Sequence, residues 1–404
     1  MVPNGWSIQK LEQIATVERG KFSARPRNDP KYFGGNIPFV QTGDIAAAKT
    51  YLQNYTQTLN EDGLKVSRLF PKNTILITIA ANIGDTAITS FDVACPDSLV
   101  AIRTHKDTDC FWLKLYLETC KDELDGKATQ NAQKNINLQV LKPLEVLTPP
   151  LPEQRKIAKI LSTWDKAIAT TEKLIDASQQ QKKALMQQLL TGKKRLVNPD
   201  TGKVFEGEWE LTHLKSLLIE EKSRNKDNKI TRVLSVTNHS GFVLPEDQFS
   251  KRVASENISN YKIVKQGQFG YNPSRLNVGS FACLNQFSEG VLSPMYVVFS
   301  TNDSKLQRDY LSYWMDSHEA KQRIKNSTQG SVRESVGFDA LCSFPFILPA
   351  LNEQQKIASV LTAADKEIEL LQAKLAHLKD EKKALMQQLL TGKRRVKVDE
   401  NVTA

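Results

Sequence analysis

An internal repeat at an offset of 200 residues constrains this chain more than any other feature of its sequence. Residues 151–195 and 351–395 share 23 identities over 45 aligned positions without a gap, and residues 182–193 are identical to residues 382–393. Agreement of this length indicates a duplicated structural unit, because chance does not produce it. The chain therefore has the order domain, repeat, domain, repeat.

Each repeat has the pattern of one long helix. Pro152 and Glu153 suit a first helical turn, and Gly192 and Gly392 suit left-handed C-terminal caps. Apolar positions recur in alternating steps of four and three, which predicts a coiled-coil seam in which the two helices pair with each other. The predicted seam comprises Ile157, Leu161, Trp164, Ile168, Thr171, Ile175, Ser178, Lys182, Leu185 and Leu189, and then Ile357, Leu361, Ala364, Ile368, Leu371, Leu375, Leu378, Lys382, Leu385 and Leu389. A helix over residues 153–190 would be about 57 Å long.

The segments before the two repeats are predicted to be mixed α/β domains. Strand-like runs lie at 73–81, 97–103, 231–236 and 295–299, and helix-like runs lie at 111–124 and 305–325. The predicted division is 1–150 and 196–350 for the two domains, 151–195 and 351–395 for the helices, and 396–404 for a tail.

The composition narrows the class of protein. A net charge of +10 favours an anionic partner, with nucleic acid first. The longest apolar run, 75–81, is too short to span a bilayer, and the N-terminus lacks a signal-peptide pattern, so a cytoplasmic protein without membrane contact is expected. Five scattered cysteines without a Cys-x-x-Cys pair predict neither a disulfide framework nor a metal site.

The motifs of the repeat resemble those of the specificity subunits of type I restriction–modification systems. The resemblance rests on Leu-Pro-Glu-Gln-Arg-Lys-Ile-Ala at 151–158, its counterpart at 351–358 and the paired Leu-Leu-Thr-Gly-Lys endings, and it covers the whole chain in the order of its parts. It implies an α+β protein, with two target recognition domains joined by two long antiparallel coiled-coil helices and an internal pseudo-two-fold repeat.

The same resemblance implies a function in DNA recognition. Each recognition domain would read one half of a bipartite double-stranded DNA target, and the paired helices would set the spacer. Two methylation subunits, carrying S-adenosylmethionine, and two motor–nuclease subunits, using ATP and Mg²⁺, would be the protein partners. The chain itself would be non-catalytic and would hold no cofactor.

Two alternatives remain at this point: a self-contained DNA methyltransferase or nuclease, and a scaffold that does not read DNA. Asn272-Pro273-Ser274 has only the first half of an adenine-methylation loop. Asp200 with Glu220-Glu221-Lys222 loosely fits a nuclease metal site, although a turn and a solvated charge run explain these residues better. A salt-dependent affinity for duplex DNA would separate DNA reading from a scaffold role.

Candidate DNA contacts are polar and basic residues between the strand-like runs, since Lys and Arg bind phosphate while Arg, Asn, Gln and hydroxyls read bases. The amide-rich run 126–136 resembles a family pattern that lies at the DNA, and 329–335 is its counterpart, where Arg333 and Glu334 predict other base preferences. In the first domain the candidates are Lys21, Arg25, Arg27, Lys127, Thr129, Gln130, Asn131, Gln133, Lys134 and Asn135. In the second they are Arg224, Lys226, Arg275, Asn277, Arg323, Lys325, Gln329, Ser331, Arg333 and Glu334.

The helix ends suggest contacts of another kind. An identical surface presented twice suits two copies of one partner, so Met186, Leu190, Met386 and Leu390 are predicted partner contacts, with coiled-coil end packing as the alternative. The basic clusters 193–195 and 393–395 would either contact phosphate or complement the helix dipole.

Overall fold

A computed structural model describes residues 2–80, 82–128, 134–248, 257–328 and 335–398. The chain divides into two compact units. The first unit combines Met1–Glu172 with Lys374–Ala404, and the second unit is Lys173–Ala373. Each unit thus contains one mixed α/β segment, the start of the long helix that follows it and the end of the other long helix. The predicted domains and helices follow one another along the chain, whereas the boundaries of the compact units fall within the two long helices, after Glu172 and after Ala373.

The α/β segment of the first unit is built on a five-stranded sheet with the order β2-β10-β7-β8-β4. A four-stranded sheet, β5-β3-β9-β6, and a two-stranded ribbon, β1-β11, complete it. The strands are β1 (Ser7–Lys10), β2 (Ala15–Arg19), β3 (Phe33–Phe39), β4 (Tyr51–Leu52), β5 (Gln57–Leu59), β6 (Leu69–Phe70), β7 (Ile75–Thr78), β8 (Thr86–Thr89), β9 (Val93–Ala94), β10 (Leu99–Thr104) and β11 (Glu145–Thr148). The helices are α1 (Leu11–Ile14), α2 (Thr42–Ala47), α3 (Glu61–Lys65), α4 (Cys110–Thr119), α5 (Lys121–Gly126) and α6 (Leu138–Leu141), with a 3-10 turn at Pro30–Tyr32.

Both faces of the five-stranded sheet are covered. Ile75 and Ile77 of β7 pack in one core cluster with Trp112 of α4, and Leu76 packs in a second cluster with Phe70. Every residue of β7 is buried, which explains why the predicted run at 73–81 is apolar without alternation. The expected helix at 111–124 is present as α4 and α5.

The α/β segment of the second unit has a smaller central sheet, with the order β13-β20-β17-β18. Three two-stranded ribbons, β12-β21, β14-β15 and β16-β19, accompany it. The strands are β12 (Glu210–His213), β13 (Leu218–Glu220), β14 (Ser235–Thr237), β15 (Gly241–Val243), β16 (Lys262–Lys265), β17 (Phe269–Tyr271), β18 (Phe281–Cys283), β19 (Glu289–Leu292), β20 (Val297–Thr301) and β21 (Pro345–Leu348). The helices numbered after the first long helix, α7 (Leu151–Leu189), are α8 (Pro245–Gln248), α9 (Arg308–Asp316), α10 (His318–Thr328) and α11 (Phe338–Cys342), with 3-10 turns at Leu214–Ser216 and Pro273–Val278.

The predicted strand at 231–236 is only partly correct, because β14 begins at Ser235. Val233 instead makes an isolated bridge to Val291, so the chain is paired there without forming a ladder. The remaining strand-like runs correspond to β7, β10 and β20, and the helix-like run 305–325 corresponds to α9 and α10.

The two long helices, α7 and α12 (Leu351–Leu389), have 39 residues each, or about 58 Å. Every predicted seam position is buried or half-buried. In the first unit Ile157 and Leu161 share a core cluster with Leu389. In the second unit Ile357 and Leu361 share one with Leu189. Farther along, Lys382 pairs with Asp165 in the first unit and Lys182 with Asp365 in the second. Residue numbers thus rise along one segment as they fall along its neighbour, so the helix segments within each unit are antiparallel.

Candidate nucleic-acid interface

The strands of the first unit bring several predicted DNA contacts to one edge of the five-stranded sheet. Arg19, the last residue of β2, is opposite Val100, and Thr78, the last residue of β7, is opposite Leu99, the first residue of β10. The ends of β2 and β7 and the start of β10 therefore lie side by side. We call this place the first edge.

Basic residues surround the first edge directly after β2. The Arg27 guanidinium lies 2.9 Å from the Asp97 carboxylate, and Arg19 Nε donates to the Asp97 carbonyl at 2.6 Å. Partial burial acts to raise the pKa of Asp97, but the hydrogen bond from Arg27 and the charges of Arg27 and Arg19 hold it below its ordinary value. Lys21 and Arg25 are exposed, and the Lys21 N–H donates to the carbonyl of Cys95, two residues before Asp97. Lys21 and Arg27 thus lie at this edge, with Arg25 two residues before Arg27.

The amide-rich run returns to the same edge. Ile136 is buried, and its N–H donates to the carbonyl of Ile79 just beyond β7, while Asn135 bridges Ala80. Lys127 pairs with Glu123, and Lys134 lies 2.6 Å from Asp125, so own-chain carboxylates already neutralise both lysines. The four predicted base-reading residues of the run lie outside the described residues: Thr129, Gln130, Asn131 and Gln133.

The second unit repeats this arrangement. Tyr271, the last residue of β17, is opposite Val297, the first residue of β20, and Glu220, the last residue of β13, is opposite Phe299. The N–H of buried Val336 donates to the carbonyl of Pro273, as Ile136 does to Ile79 in the first unit. We call this place the second edge. The predicted contacts that precede Val336 lie outside the described residues: Gln329, Ser331, Arg333 and Glu334.

Arg275 and Asn277 are exposed on the 3-10 turn Pro273–Val278, which directly follows β17 at the second edge. Asn272 caps this turn, since its side-chain oxygen accepts from the Ser274 N–H at 3.0 Å. The Asn-Pro pair therefore serves as a turn cap. Met295, 63% exposed, lies beside it with its sulfur 3.9 Å from the Asn272 amide nitrogen.

Two of the other basic candidates of the second unit have hydrogen-bond or ion-pair partners within the chain. Arg224 donates from one nitrogen to both the carbonyl and the side-chain oxygen of Asn260, at 2.8 Å each, whereas nearby Lys226 is exposed. Arg323 pairs with Glu319 one turn earlier on α10 at 2.6 Å, and exposed Lys325 lies on the same helix. Phosphate contact by Arg323 or Arg224 would compete with these internal partners.

Known sequences identify the family of this chain. Two stretches, residues 3–178 and 216–380, match the type I restriction modification DNA specificity domain. The chain belongs to the type I restriction–modification DNA specificity family.

Relatives within the family span nearly the whole chain. Over 427 residues it is 26% identical to a Methanocaldococcus jannaschii protein provisionally named type I restriction enzyme MjaX specificity subunit, covering 98% of this chain and 95% of that protein. It is 23% identical over 422 residues to the MjaVIII specificity subunit of the same organism, covering 98% and 94%. A crystal structure of the type I S subunit from M. genitalium matches 96% of both chains with a TM-score of 0.58 and 13% identity. At that identity the likeness concerns the fold, which agrees with the predicted α+β architecture.

Two arginines that the sequence did not predict as candidates also lie near the first edge. Arg68 and Arg103 both bind the Glu18 carboxylate, at 3.2 and 2.5 Å. Arg103 lies inside a strand-like run and Arg68 directly precedes a strand, so neither stood out as a loop residue. The strand register, which pairs Glu18 with Ala101, brings Arg103 close to Glu18, and Arg68 reaches the same carboxylate from the segment before β6.

The basic clusters at the helix ends have a structural partner that the sequence did not reveal. Glu153 accepts a two-pronged ion pair from Arg395, at 2.7 and 2.8 Å, and a hydrogen bond from the Trp6 indole at 2.9 Å. We call this group the first clasp. The hydrogen bonds to Glu153 raise the pKa of Arg395. Arg395 therefore has a structural role that neither of the two predicted roles included.

The second clasp repeats the first in the second unit. Arg195 pairs with Glu353 at 2.6 and 2.7 Å, and the Trp209 indole donates to Glu353 at 3.0 Å. Gly192 and Gly392 have φ of +70° and +69°, which confirms the predicted left-handed caps. At Gly392 a Cβ would lie 2.4 Å from Pro3, so the close approach also requires glycine there.

The residue after each clasp glutamate anchors its helix to the α/β segment. Gln154 accepts from the Asp109 N–H at 2.8 Å and donates to the Pro149 carbonyl at 2.9 Å. Gln354 makes the same contacts with Gln307 and Pro349, each at 2.8 Å. The repeated Glu-Gln pair is therefore explained by two buried attachments.

The predicted partner contacts at the helix ends pack within this chain, and their contact with a partner stays a prediction. Leu190 and Leu390 are 4% and 1% exposed and belong to the core clusters of their own units. Met186 and Met386 are half-buried and pack against the same clusters. These side chains complete hydrophobic cores, which corresponds to the alternative of end packing.

The residues of the suspected nuclease site are arranged otherwise. Asp200 is exposed in a turn, where its N–H donates to Asn198, and Glu220 pairs with Lys222 at 2.9 Å. In the described part of the chain, no three His, Cys, Asp or Glu side chains gather as a metal site. No helix among the described residues is long and apolar enough to cross a membrane.

Proposed function

We propose that this family member is the DNA-reading subunit of a type I restriction–modification enzyme, with a bipartite double-stranded target. Each unit would read one half of the target at its sheet edge. The observation that carries this proposal is the presence of two topologically equivalent edges with different side chains. A duplicated scaffold with divergent edges suits two different half-sites.

The repeated helices suit a further role as a spacer and an assembly platform. Two long helices with identical ends would hold the half-sites at a set separation and would bind two copies of one methylation subunit. Two motor–nuclease subunits would complete the restriction complex. The end residues that fill the cores leave the outer helix faces as the place for such contacts.

The chemistry would belong to the partners. The methylation subunits would supply S-adenosylmethionine, and the motor subunits would use ATP and Mg²⁺, while this chain would contribute no catalytic group. Within the chain, the Asn-Pro pair at 272–273 caps a turn, which supports this division of labour. A subunit that reads chromosomal DNA would work in the cytoplasm.

Methylome sequencing tests the proposal directly. A host would express the chain with its methylation subunit, and N6-methyladenine would be mapped genome-wide. We expect a split motif with a fixed spacer. Arg275→Ala with Asn277→Ala should relax or abolish the half read at the second edge without altering the other half.

A matched substitution at the first edge, Arg25→Ala, should affect the opposite half-site. If the intact pair methylated no split motif, the proposal of bipartite DNA reading would be overturned. If both sets of substitutions altered the same half, the assignment of one half-site to each edge would be wrong.

A further inference from the structure

Beside the first edge, two acidic residues hold four arginines. Glu18 binds Arg68 and Arg103 through its two carboxylate oxygens. Asp97 binds Arg27 through its carboxylate and Arg19 through its carbonyl. Glu18 and Arg19 are adjacent at the end of β2, so the two groups are neighbours. We call this set the arginine group.

The arginine group carries surplus positive charge. Four guanidinium groups face two carboxylates, which leaves a net charge of two before exposed Lys21 is added. Arg27, Arg68 and Arg103 have side chains 49%, 47% and 43% exposed. Each guanidinium has five N–H donors, and each carboxylate contact here uses one of them, so donors remain for an outside anion.

The equivalent place in the second unit has no such group of arginines in the part of the chain that the structure describes. Thr104 of β10 is opposite Ala15, the first residue of β2, and Thr301 of β20 is opposite Leu218, the first residue of β13. The residue before each threonine is therefore equivalent, so Ser300 occupies the position of Arg103. There Ser300 donates its hydroxyl to Glu221 at 2.8 Å, where Arg103 contacts Glu18 in the first unit. An acidic residue is thus present in both units, but among the described residues the arginines that contact it belong to the first unit.

We propose that the arginine group is a phosphate-binding surface for the backbone of the half-site read by the first unit. Glu18 and Asp97 act as positioning residues, since they hold the guanidinium groups in place before DNA arrives. The phosphate backbone is the occupant because its charge is complementary and the group flanks the first edge. The inference rests on the proposed function and adds Arg68 and Arg103 to the residues that contact DNA.

The test measures salt-dependent affinity of the full chain bound to its methylation subunit. The probes are a duplex carrying the methylated motif and a duplex without it, each titrated over a series of salt concentrations. Arg68→Gln and Arg103→Gln should each make the slope of log Kd against log salt shallower by about 0.9. For each tenfold decrease in salt, the affinity of the variant should therefore fall behind that of the unaltered chain by a further factor of about eight, alike for both duplexes.

Glu18→Gln should act in the opposite direction. Removing the carboxylate frees two guanidinium groups and deletes a negative charge beside the DNA, so affinity for both duplexes should rise. Lys106→Gln is the matched control, because exposed Lys106 lies three residues after Arg103, outside the ion pairs of Glu18 and Asp97, and its loss removes the same charge. Its salt slope should equal that of the unaltered chain.

The alternative role is purely structural, with Glu18 and Arg68 joining two sheets. In that case the three variants would lower thermal stability and leave both affinity and salt slope unchanged, which overturns the inference. If the unaltered complex bound no duplex at all, the proposed function would fail and the inference with it. If the unaltered complex binds DNA and the variants keep its salt slope, the proposed function stands and only the proposed phosphate contact of the arginine group is rejected.

Discussion

The two units agree where the helices are attached and differ where DNA would be read. Both have a Trp–Glu–Arg clasp, a buried glutamine anchor and an antiparallel seam that contains an Asp–Lys pair. At the sheet edges, Asp97 and Ser98 of the first unit stand where Pro294 and Met295 stand in the second. The residues that the two units share are therefore those that attach the helices, while the residues at the sheet edges differ.

The largest expected difference between the units concerns the clasps. Arg195→Ala leaves Glu353, 1% exposed, without its ion-pair partner, which should destabilise the second unit by about 3 kcal/mol. Arg395→Ala should cost the first unit less, about 1–2 kcal/mol, because Arg395 is 43% exposed and water screens the pair. Urea unfolding followed by hydrogen exchange in each unit measures both values.

Lys193→Ala and Lys393→Ala are the controls for the clasps. Both lysines are exposed neighbours of the clasp arginines, and their loss should change the free energy of unfolding by less than about 0.5 kcal/mol. An equal decrease in the free energy of unfolding for all four variants would show that the clasps contribute nothing beyond surface charge.

The seam pairs offer a second contrast. Asp365 accepts from Lys182 at 2.5 Å and from the Tyr313 hydroxyl at 2.8 Å, whereas one carboxylate oxygen of Asp165 is buried without a partner among the described residues. Asp365→Ala should therefore cost about 2 kcal/mol and Asp165→Ala about 1 kcal/mol or less, by chemical denaturation. In a Tyr313→Phe background the two costs should converge, and a persistent gap would contradict this explanation.

The edges predict a smaller difference in base preference. Met295 is an exposed apolar side chain suited to a thymine methyl group, while Ser98 at the first edge is not. We expect Met295 to contact a thymine methyl group in the second half-site, and replacing that thymine by uracil should weaken binding about fourfold, or about 0.8 kcal/mol for one methyl group. Met295→Ser should remove that sensitivity, as measured by competition binding. The hypothesis fails if the variant still discriminates thymine from uracil.

The last expected effect is on thiol chemistry. Burial raises the pKa of Cys95 and Cys110 in the first unit to about 12, and that of Cys120 in the first unit and of Cys283 and Cys342 in the second to about 11, from 9.0. The folded state holds these protons more tightly, so their stabilising contribution is complete below about pH 9 and is lost as pH rises through about 11–12.

Alkylation with site-resolved mass spectrometry checks the thiols. Between about pH 8 and pH 10, native Cys95 should react far more slowly than in urea, and more slowly than Cys283, which is half-buried. Equal rates in native protein and urea would show that burial does not protect Cys95.

The helices and their seam were predictable because their signals are local. Heptad steps, the cap glycines and twelve identical residues all lie within one segment, and the structure confirms them. The α+β class was also predictable, since buried strands such as β7 are short apolar runs. The strand at 231–236 was misjudged because Val233 pairs in isolation.

The clasps and the arginine group were not predictable, because their partners are distant in the chain. Trp6 and Glu153 are separated by 147 residues, and Arg395 and Glu153 by 242. From the sequence, Glu153 was explained by the helix dipole alone. The positions of Arg68 and Arg103 depend on strand register, which a single sequence does not specify.

The first clasp has a consequence for synthesis on the ribosome. The second unit is one continuous stretch and can close as soon as Ala373 has emerged. The first unit begins earlier but waits for Arg395, whose side chain also donates to the carbonyl of Asn4. At about 5–20 residues per second, the 201 residues from 173 to 373 delay its completion by about 10–40 seconds. The half of the protein that is translated first is therefore finished last.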